Sequence, residues 1–261
     1  MTAYIEWITL KGKGTKMEIE MKYGIGDKET AANIWDDEYL LSIEESDTRE
    51  KVLMKAAYFD TEDFVLSKND IALRVRMEGT RTVATLKWRG KNEGGLHIRE
   101  EINVPVNDES CFNMPDLQIF KESEIGQEVI ALIGFKKLHS IMETNFTRNR
   151  FRIDTGNGIM EVSLDDGEII TTKGTAPICE IEIELFSGEQ EALENVTKTI
   201  AEKYGLQPET KSKYVRGLSQ RRKRELIVLI FIKNRNKLIK WLYKRPFFSF
   251  SGAFWLLSGA F

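Results

Sequence analysis

The sequence predicts a mainly β protein of α+β type: an antiparallel sheet closed into a barrel, with helices packed outside it. Three observations lead there. Segments along the chain alternate apolar and charged residues with period two, the mark of a strand whose faces see different surroundings. Turn-like stretches join consecutive segments, and strands joined by short turns pair antiparallel. The charged faces are also sorted by sign, some strands carrying only acids and others only bases. Like charges side by side on a sheet face are unfavourable unless the opposite sign lies between them. Turning every charged face inward around a closed lumen supplies that arrangement and leaves the apolar faces for helices to cover.

The elements follow in chain order. In "MEIEMKY" (Met17–Tyr23), Met17, Ile19, Met21 and Tyr23 oppose Glu18, Glu20 and Lys22. "ETAANIWDDEYLLSI" (Glu29–Ile43) is predicted as a helix. "IALRVRM" (Ile71–Met77) sets Leu73, Val75 and Met77 against Arg74 and Arg76. "ATLKWRG" (Ala84–Gly90) sets Leu86 and Trp88 against Thr85, Lys87 and Arg89. "RGKNEGG" (Arg89–Gly95) then reads as a hairpin loop. "LHIREEINV" (Leu96–Val104) opposes Leu96, Ile98, Ile102 and Val104 to His97, Arg99, Glu101 and Asn103. "SEIGQEVIALIGFKKL" (Ser123–Leu138) carries Ile125, Val129, Leu132 and Ile133 near helical spacing. "FTRNRFRI" (Phe146–Ile153) aligns Arg148, Arg150 and Arg152. Turns are predicted at "TGNG" (Thr155–Gly158) and "DDG" (Asp165–Gly167). Around them Met160, Val162 and Leu164 oppose Glu161, Ser163 and Asp165. "ICEIEIEL" (Ile178–Leu185) aligns Glu180, Glu182 and Glu184. "SGEQEALENVTKTIAEKYGL" (Ser187–Leu206) repeats Leu193, Val196 and Ile200 on one stripe, with Gly205 as its stop.

Composition bounds the class. A chain of 261 residues holds one large domain or one domain with extensions, and 41% hydrophobic residues sustain a core. A net charge of −3 gives no general pull toward nucleic acid or anionic membrane. Cys111 and Cys179 do not make a disulfide framework, so reduced thiols and a cytoplasmic location are expected. The first sixteen residues lack the apolar stretch of a secretory leader.

A lumen lined by both signs calls for a guest. Arginine and lysine suit a polyanion with several oxygens. Clustered carboxylates suit a hard divalent cation, and Mg²⁺ takes oxygen ligands shared with phosphates. A linear polyphosphate with its metal satisfies both walls. Here the residues resemble a known family. Glu18-Ile19-Glu20-Met21-Lys22 is similar to the ExExK signature of CYTH proteins, the triphosphate tunnel metalloenzymes. The likeness continues through "YFDTEDFVLSKNDIALRVR" (Tyr58–Arg76), "TLK", "REEI", "FTRNRF", "EVSLDDGEI", "ICEIEIELFSG" and "SKYVRG". It covers residues 17–218. Asn103 departs from it, standing where many members carry a second acid after Glu101.

The resemblance implies an eight-stranded antiparallel tunnel that acts on a triphosphate with Mg²⁺ or Mn²⁺. It implies that Lys22, Arg74, Arg76, Lys87, Arg148, Arg150 and Lys213 grip phosphates; Lys211, which shares the parity of Lys213, is its rival. It implies that Glu18, Glu20, Asp165, Glu182 and Glu184 bind metal, with Glu101, Glu161 and Glu180 as further candidates. Arginines crowding a lysine lower its pKa, which makes Lys22 the candidate catalytic base. The expected reaction is hydrolysis of inorganic triphosphate to diphosphate and phosphate. Thiamine triphosphate or a nucleoside triphosphate is an alternative substrate. A class IV adenylate cyclase-like lyase and a non-catalytic polyphosphate-binding module are the rival classes.

The ends are expected to stand apart from the barrel. Residues 1–16 read as an extension. Relatives of this branch often continue into a histidine-rich helical domain called CHAD. With His97 and His139 the only histidines, that domain is expected to be absent. Residues 219–261 form a basic, apolar tail whose apolar runs are shorter than the ~20 residues that span a bilayer. Contact of this tail with a membrane surface is the less favoured reading.

Overall fold

The computed structural model describes residues 14–107 and 109–220. Eight strands close on themselves: β1 (Lys16–Gly24), β2 (Glu50–Thr61), β3 (Ala72–Glu78), β4 (Arg81–Glu93), β5 (Leu96–Val106), β6 (Leu138–Asp154), β7 (Gly158–Thr171) and β8 (Gly174–Gly188). Around the barrel they run β1-β5-β4-β3-β2-β6-β7-β8 and back to β1, every pair antiparallel. β1 is the closing strand, holding β5 through Lys16–Met21 and β8 through Glu20–Gly24. A two-residue strand, β9 (Gln207–Pro208), pairs beside the end of β1.

The helices lie against the apolar outside. Those on one side are α1 (Lys28–Trp35), α2 (Glu38–Ser42) and α5 (Gln190–Tyr204). α5 buries Leu193, Val196 and Ile200 in one cluster with Met21, Tyr23, Val162 and Ile183 from β1, β7 and β8. A second cluster sets α4 (Glu124–Ile133), through Ile125, Val129 and Ile133, against Phe59, Leu73, Val75 and Leu86. Burying each such side chain stabilises the fold by ~1.5–3 kcal/mol, so the outer faces supply most of the cohesion. A short helix, α3 (Val65–Lys68), meets a helical segment over 213–220 through Ser67 and Tyr214. Among the described residues no helix is long and apolar enough to cross a membrane.

Several expectations are corrected. The predicted helix over 29–43 is two helices, because Asp37 caps a new start by accepting from the Tyr39 and Leu40 amides. The helix predicted over 123–138 stops at Ile133, where Gly134 takes φ 57. "DDG" is not a turn: β7 runs straight through it to Thr171. Gly167 is required there because a Cβ would collide with the backbone of Asn145 and Phe146 on β6. The 89–95 loop is shorter than expected, since β4 continues through a bulge between Trp88 and Lys91 to Glu93. Lys16, assigned to the extension, belongs to β1. The remaining residues of the expected extension and tail, apart from 14–15 and 219–220, lie outside the described residues.

Candidate active site in the barrel lumen

Period two puts alternate side chains of every strand into the lumen. β1 contributes Glu18, Glu20 and Lys22, all buried. Across from them on β8, Glu184 faces Glu20 and Glu182 faces Lys22. β7 extends the rows, with Glu161 opposite Glu184 and Asp165 opposite Glu180. Glu20, Glu184 and Glu161 thus form a carboxylate row over three strands, an arrangement that favours an added cation. Farther round, Arg74, Arg76, Lys87, Arg148 and Arg150 line the same lumen.

Ion pairs stitch the two signs together. Lys87 Nζ lies 2.5 Å from Glu18 and 3.1 Å from Glu101. Lys22 bonds Glu182 and lies 2.9 Å from Glu20. Arg148 forks onto Asp165, Nε and Nη2 both at 2.7 Å, and also reaches Glu182. Arg150 meets Glu50 at 2.7 Å and Glu161 at 3.7 Å. Lys213 enters from the 213–220 segment to touch Asp165 at 2.6 Å, Glu182 at 2.8 Å and Glu180. That segment is anchored by Arg216 on Glu180 and by the Tyr214 hydroxyl on Ser67 Oγ at 2.7 Å. Tyr214 also stacks on Tyr58 with ring centroids 5.3 Å apart.

Burial and these partners set the titration of the site. Burial pushes Glu18 up, but Lys87 overcomes it and holds the carboxyl at about 2. Glu182 is likewise driven well below the ordinary range, burial being outweighed by Lys213, Lys22 and Arg148. Glu20 and Glu184 go the other way. Burial raises Glu184 to about 7, Lys16 opposing and Glu18 and Glu101 adding to the rise. Burial and the Glu18 and Glu182 charges raise Glu20, with Lys22 opposing. This part of the wall is short of positive charge. On the β3 wall Arg76 bonds Glu78 of its own strand, and burial of Arg74 is outweighed by Tyr58, Glu101 and Glu18, which raise its pKa. Arg76 is depressed by burial and by Arg74 beside it, and the buried Nε atoms of Arg74 and Arg76 have no hydrogen-bond partner.

The expectation of a depressed Lys22 is overturned. Its nearest charges are carboxylates, not arginines. Burial is outweighed by Glu182, Glu20 and Glu180, which raise its pKa well above the ordinary lysine value. As folded, Lys22 is an ammonium held between Glu182 and Glu20, and the premise for its acting as a base is lost.

A cation has a suitable donor set. Asp165, Glu180 and Glu182 bring carboxylate oxygens within 4.8 Å of one another, with the Lys213 ammonium held among them. All-oxygen donors of this kind suit a hard divalent ion. Glu182 is the most committed of the three, held by Lys22, Arg148 and Lys213, while Lys213 and Arg216 hold Glu180. Asn103 accepts from Thr85 Oγ1 and donates to Glu101, both at 2.7 Å, so the departure from the acid pattern orients Glu101.

The lumen therefore gathers the residues singled out in the sequence: Lys22, Arg74, Arg76, Lys87, Arg148, Arg150, Lys213, Glu18, Glu20, Glu101, Glu161, Asp165, Glu180, Glu182 and Glu184. Arg152 pairs instead with Glu45 at 3.1 Å, and Lys211 is exposed. Lys16, Glu78 and Tyr58 also line the lumen and were not singled out. Only their parity with Glu18, Arg76 and Arg74 on β1, β3 and the paired strand β2 marks them.

A closed antiparallel barrel whose lumen opposes a basic wall to a carboxylate wall is a charged-tunnel architecture. The chain belongs to the CYTH domain family, whose sequence model matches residues 16–218. It is 32% identical over 165 residues to an inorganic triphosphatase of Haemophilus influenzae, a match covering 61% of this chain. The chain spans less than half of that relative, 44% of its length. The fold is also that of a Hippeastrum protein described as an adenylyl cyclase candidate with a dominant triphosphatase activity. There the TM-score is 0.59 and the identity 22%, over 77% of this chain and 95% of that one. A Bacillus halodurans protein described as an adenylate cyclase candidate aligns with a TM-score of 0.51 at 24% identity, over 78% of this chain and 98% of that one.

Proposed function

We propose that the lumen hydrolyses a linear triphosphate, with inorganic triphosphate going to diphosphate and phosphate, and with Mg²⁺ or Mn²⁺ as cofactor. The observation that carries this reading is the pair of buried, unpartnered Nε donors on Arg74 and Arg76. A buried donor without a partner costs free energy, and a phosphate oxygen satisfies it with a charge-assisted bond. Family membership and the triphosphatase name of the Haemophilus relative support the choice of anion.

Phosphoryl transfer asks mainly for alignment and charge neutralisation. Arg74 and Arg76 would fork onto the chain, while Lys22, Lys87 and Arg148 would exchange a carboxylate contact for a phosphate one. Glu18, Glu20, Glu182 and Glu184, with Asp165 nearby, would hold the metal. When bound, that ion would neutralise phosphate oxygens and acidify a water molecule. Water oxygen attacks the terminal phosphorus, the bridging P–O bond breaks, and diphosphate leaves with the bonding electrons. The basic wall stabilises the charge growing on that leaving group.

The test is a release assay on the purified full chain. Tripolyphosphate, thiamine triphosphate and ATP are supplied with Mg²⁺ or Mn²⁺, and phosphate, diphosphate and cyclic AMP are measured. Phosphate and diphosphate in equal amounts from tripolyphosphate are expected. Cyclic AMP from ATP as the main product would overturn the hydrolase reading. Binding without any turnover would leave a polyphosphate-binding module.

A further inference from the structure

Arg99 lies on β5 opposite Glu18 of β1 and, half-buried, lines the lumen together with Ser212, Lys213 and Tyr214. Among the described residues its charge is not spent on a carboxylate. Glu18 is committed to Lys87 at 2.5 Å, and among the described residues no carboxylate lies within ion-pair distance of Arg99. The guanidinium lies over Gly90, where an added Cβ would stand 2.9 Å from Nε, 3.2 Å from Nη2 and 3.3 Å from Cζ. Gly90 sits in the β4 bulge between Trp88 and Lys91, and its amide donates to Asp70 Oδ2 at 3.1 Å. Arg89 beside it takes φ 51, so the seat is shaped by the backbone and not by chance packing.

We infer that Arg99 is a further substrate-gripping residue, holding a phosphate of the substrate at the part of the lumen lined by Ser212, Lys213 and Tyr214, and that Gly90 is the seat that places it. The inference rests on the triphosphate reading. Arg148 and Lys22 must loosen an internal carboxylate before they engage a substrate, whereas Arg99 has none to give up. Its contact is therefore gained at less cost and contributes more to binding. A guanidinium also forks onto two phosphate oxygens, which an ammonium cannot copy.

The experiment measures steady-state hydrolysis of tripolyphosphate by the full chain and by R99A, R99K, G90A and the G90A/R99A double variant. Each is also checked for its thermal unfolding midpoint. R99A is expected to raise KM by about tenfold, the loss of one charge-assisted contact. R99K should recover only part of this. G90A has no unfavourable φ to suffer, so it should act by displacing the guanidinium. It is expected to raise KM by several-fold, and to add nothing once Arg99 is already alanine. An unchanged KM in R99A and R99K, with wild-type turnover intact, overturns this inference alone. A G90A effect that persists in the R99A background overturns the seat. A wild-type protein that neither binds nor cleaves tripolyphosphate overturns the triphosphate reading and this one together. If R99A fails to fold, R99K and G90A carry the same comparison.

Discussion

Glu184 shows in one side chain what the lumen lacks. Its folded pKa of about 7 stands above the unfolded value of ~4.3. The folded state therefore binds the extra proton in that interval. The stability this contributes is complete below about pH 4.3 and is lost as pH rises through 7. In chelator-containing buffer, Glu184→Gln should lose less of its thermal midpoint than wild type between about pH 5 and about pH 8. Equal losses in the two proteins would show that Glu184 is not the carboxyl that holds the proton. For Glu18 and Glu20, the neutral amides Glu18→Gln and Glu20→Gln keep the shape and remove the charge. Turnover is expected to fall by at least about a hundredfold while the unfolding transition remains. Normal rates in both variants at limiting metal would remove these acids from the metal site. For Arg74 and Arg76, lysine cannot fork, so Arg→Lys should raise KM and lower kcat together, because the same contacts tighten as charge develops. Wild-type kinetics in both lysine variants would mean that these donors do not meet the substrate.

The elements differ in how legible they were. β1, β3 and β8 could be read because their inner faces are charged and their outer faces apolar, the contrast that period two needs. β2 could not. Its inner face is Val52, Met54, Ala56 and Tyr58, its outer face includes Ala57 and Phe59, and Leu53 is 63% exposed, so neither face stands out. The break between α1 and α2 was hidden because an aspartate pair inside an apolar pattern looks like a polar helix face until Asp37 is seen capping. The site was legible as a parity: every lumen acid and base chosen on the strands shares one. The titration of Lys22 was not, since pKa depends on which neighbours approach across strands distant in sequence. The closing segment was readable only by likeness, and its packing supplies an element-scale expectation. Gly217 abuts Met142, and a Cβ there would overlap the thioether. Gly217→Ala should cost ~1–3 kcal/mol of stability through overpacking, read from denaturant melts. It should also raise KM, because Lys213 rides on the same segment. A stable variant with altered KM would still place the effect on Lys213, whereas no change in either would show that Met142 simply moves aside.

At the scale of the molecule, closure is the governing fact. Each of the eight barrel strands has two partners, so no edge of the barrel among the described residues waits for another segment to complete it. A chain ending after Gln220 is therefore expected to keep both its kcat and its thermal transition. Loss of that transition would assign the later residues to the fold. Flotation of the full and shortened chains with anionic liposomes separates a membrane-surface role from none. The same closure gives the lumen the character of a two-letter reading frame. Inner and outer identities alternate residue by residue, so one extra residue inside a strand exchanges them for everything beyond it. An alanine inserted between Cys179 and Glu180 would turn Glu180, Glu182 and Glu184 toward the helices and bring Ile181, Ile183 and Leu185 into the tunnel. Two residues added at the Thr172–Lys173 turn shift no frame, because the β7–β8 pairing resumes at Thr171 and Gly174 on either side. Length variation in such a protein is therefore confined to its connections, where it can change what surrounds the tunnel mouths while the charged lumen is inherited intact.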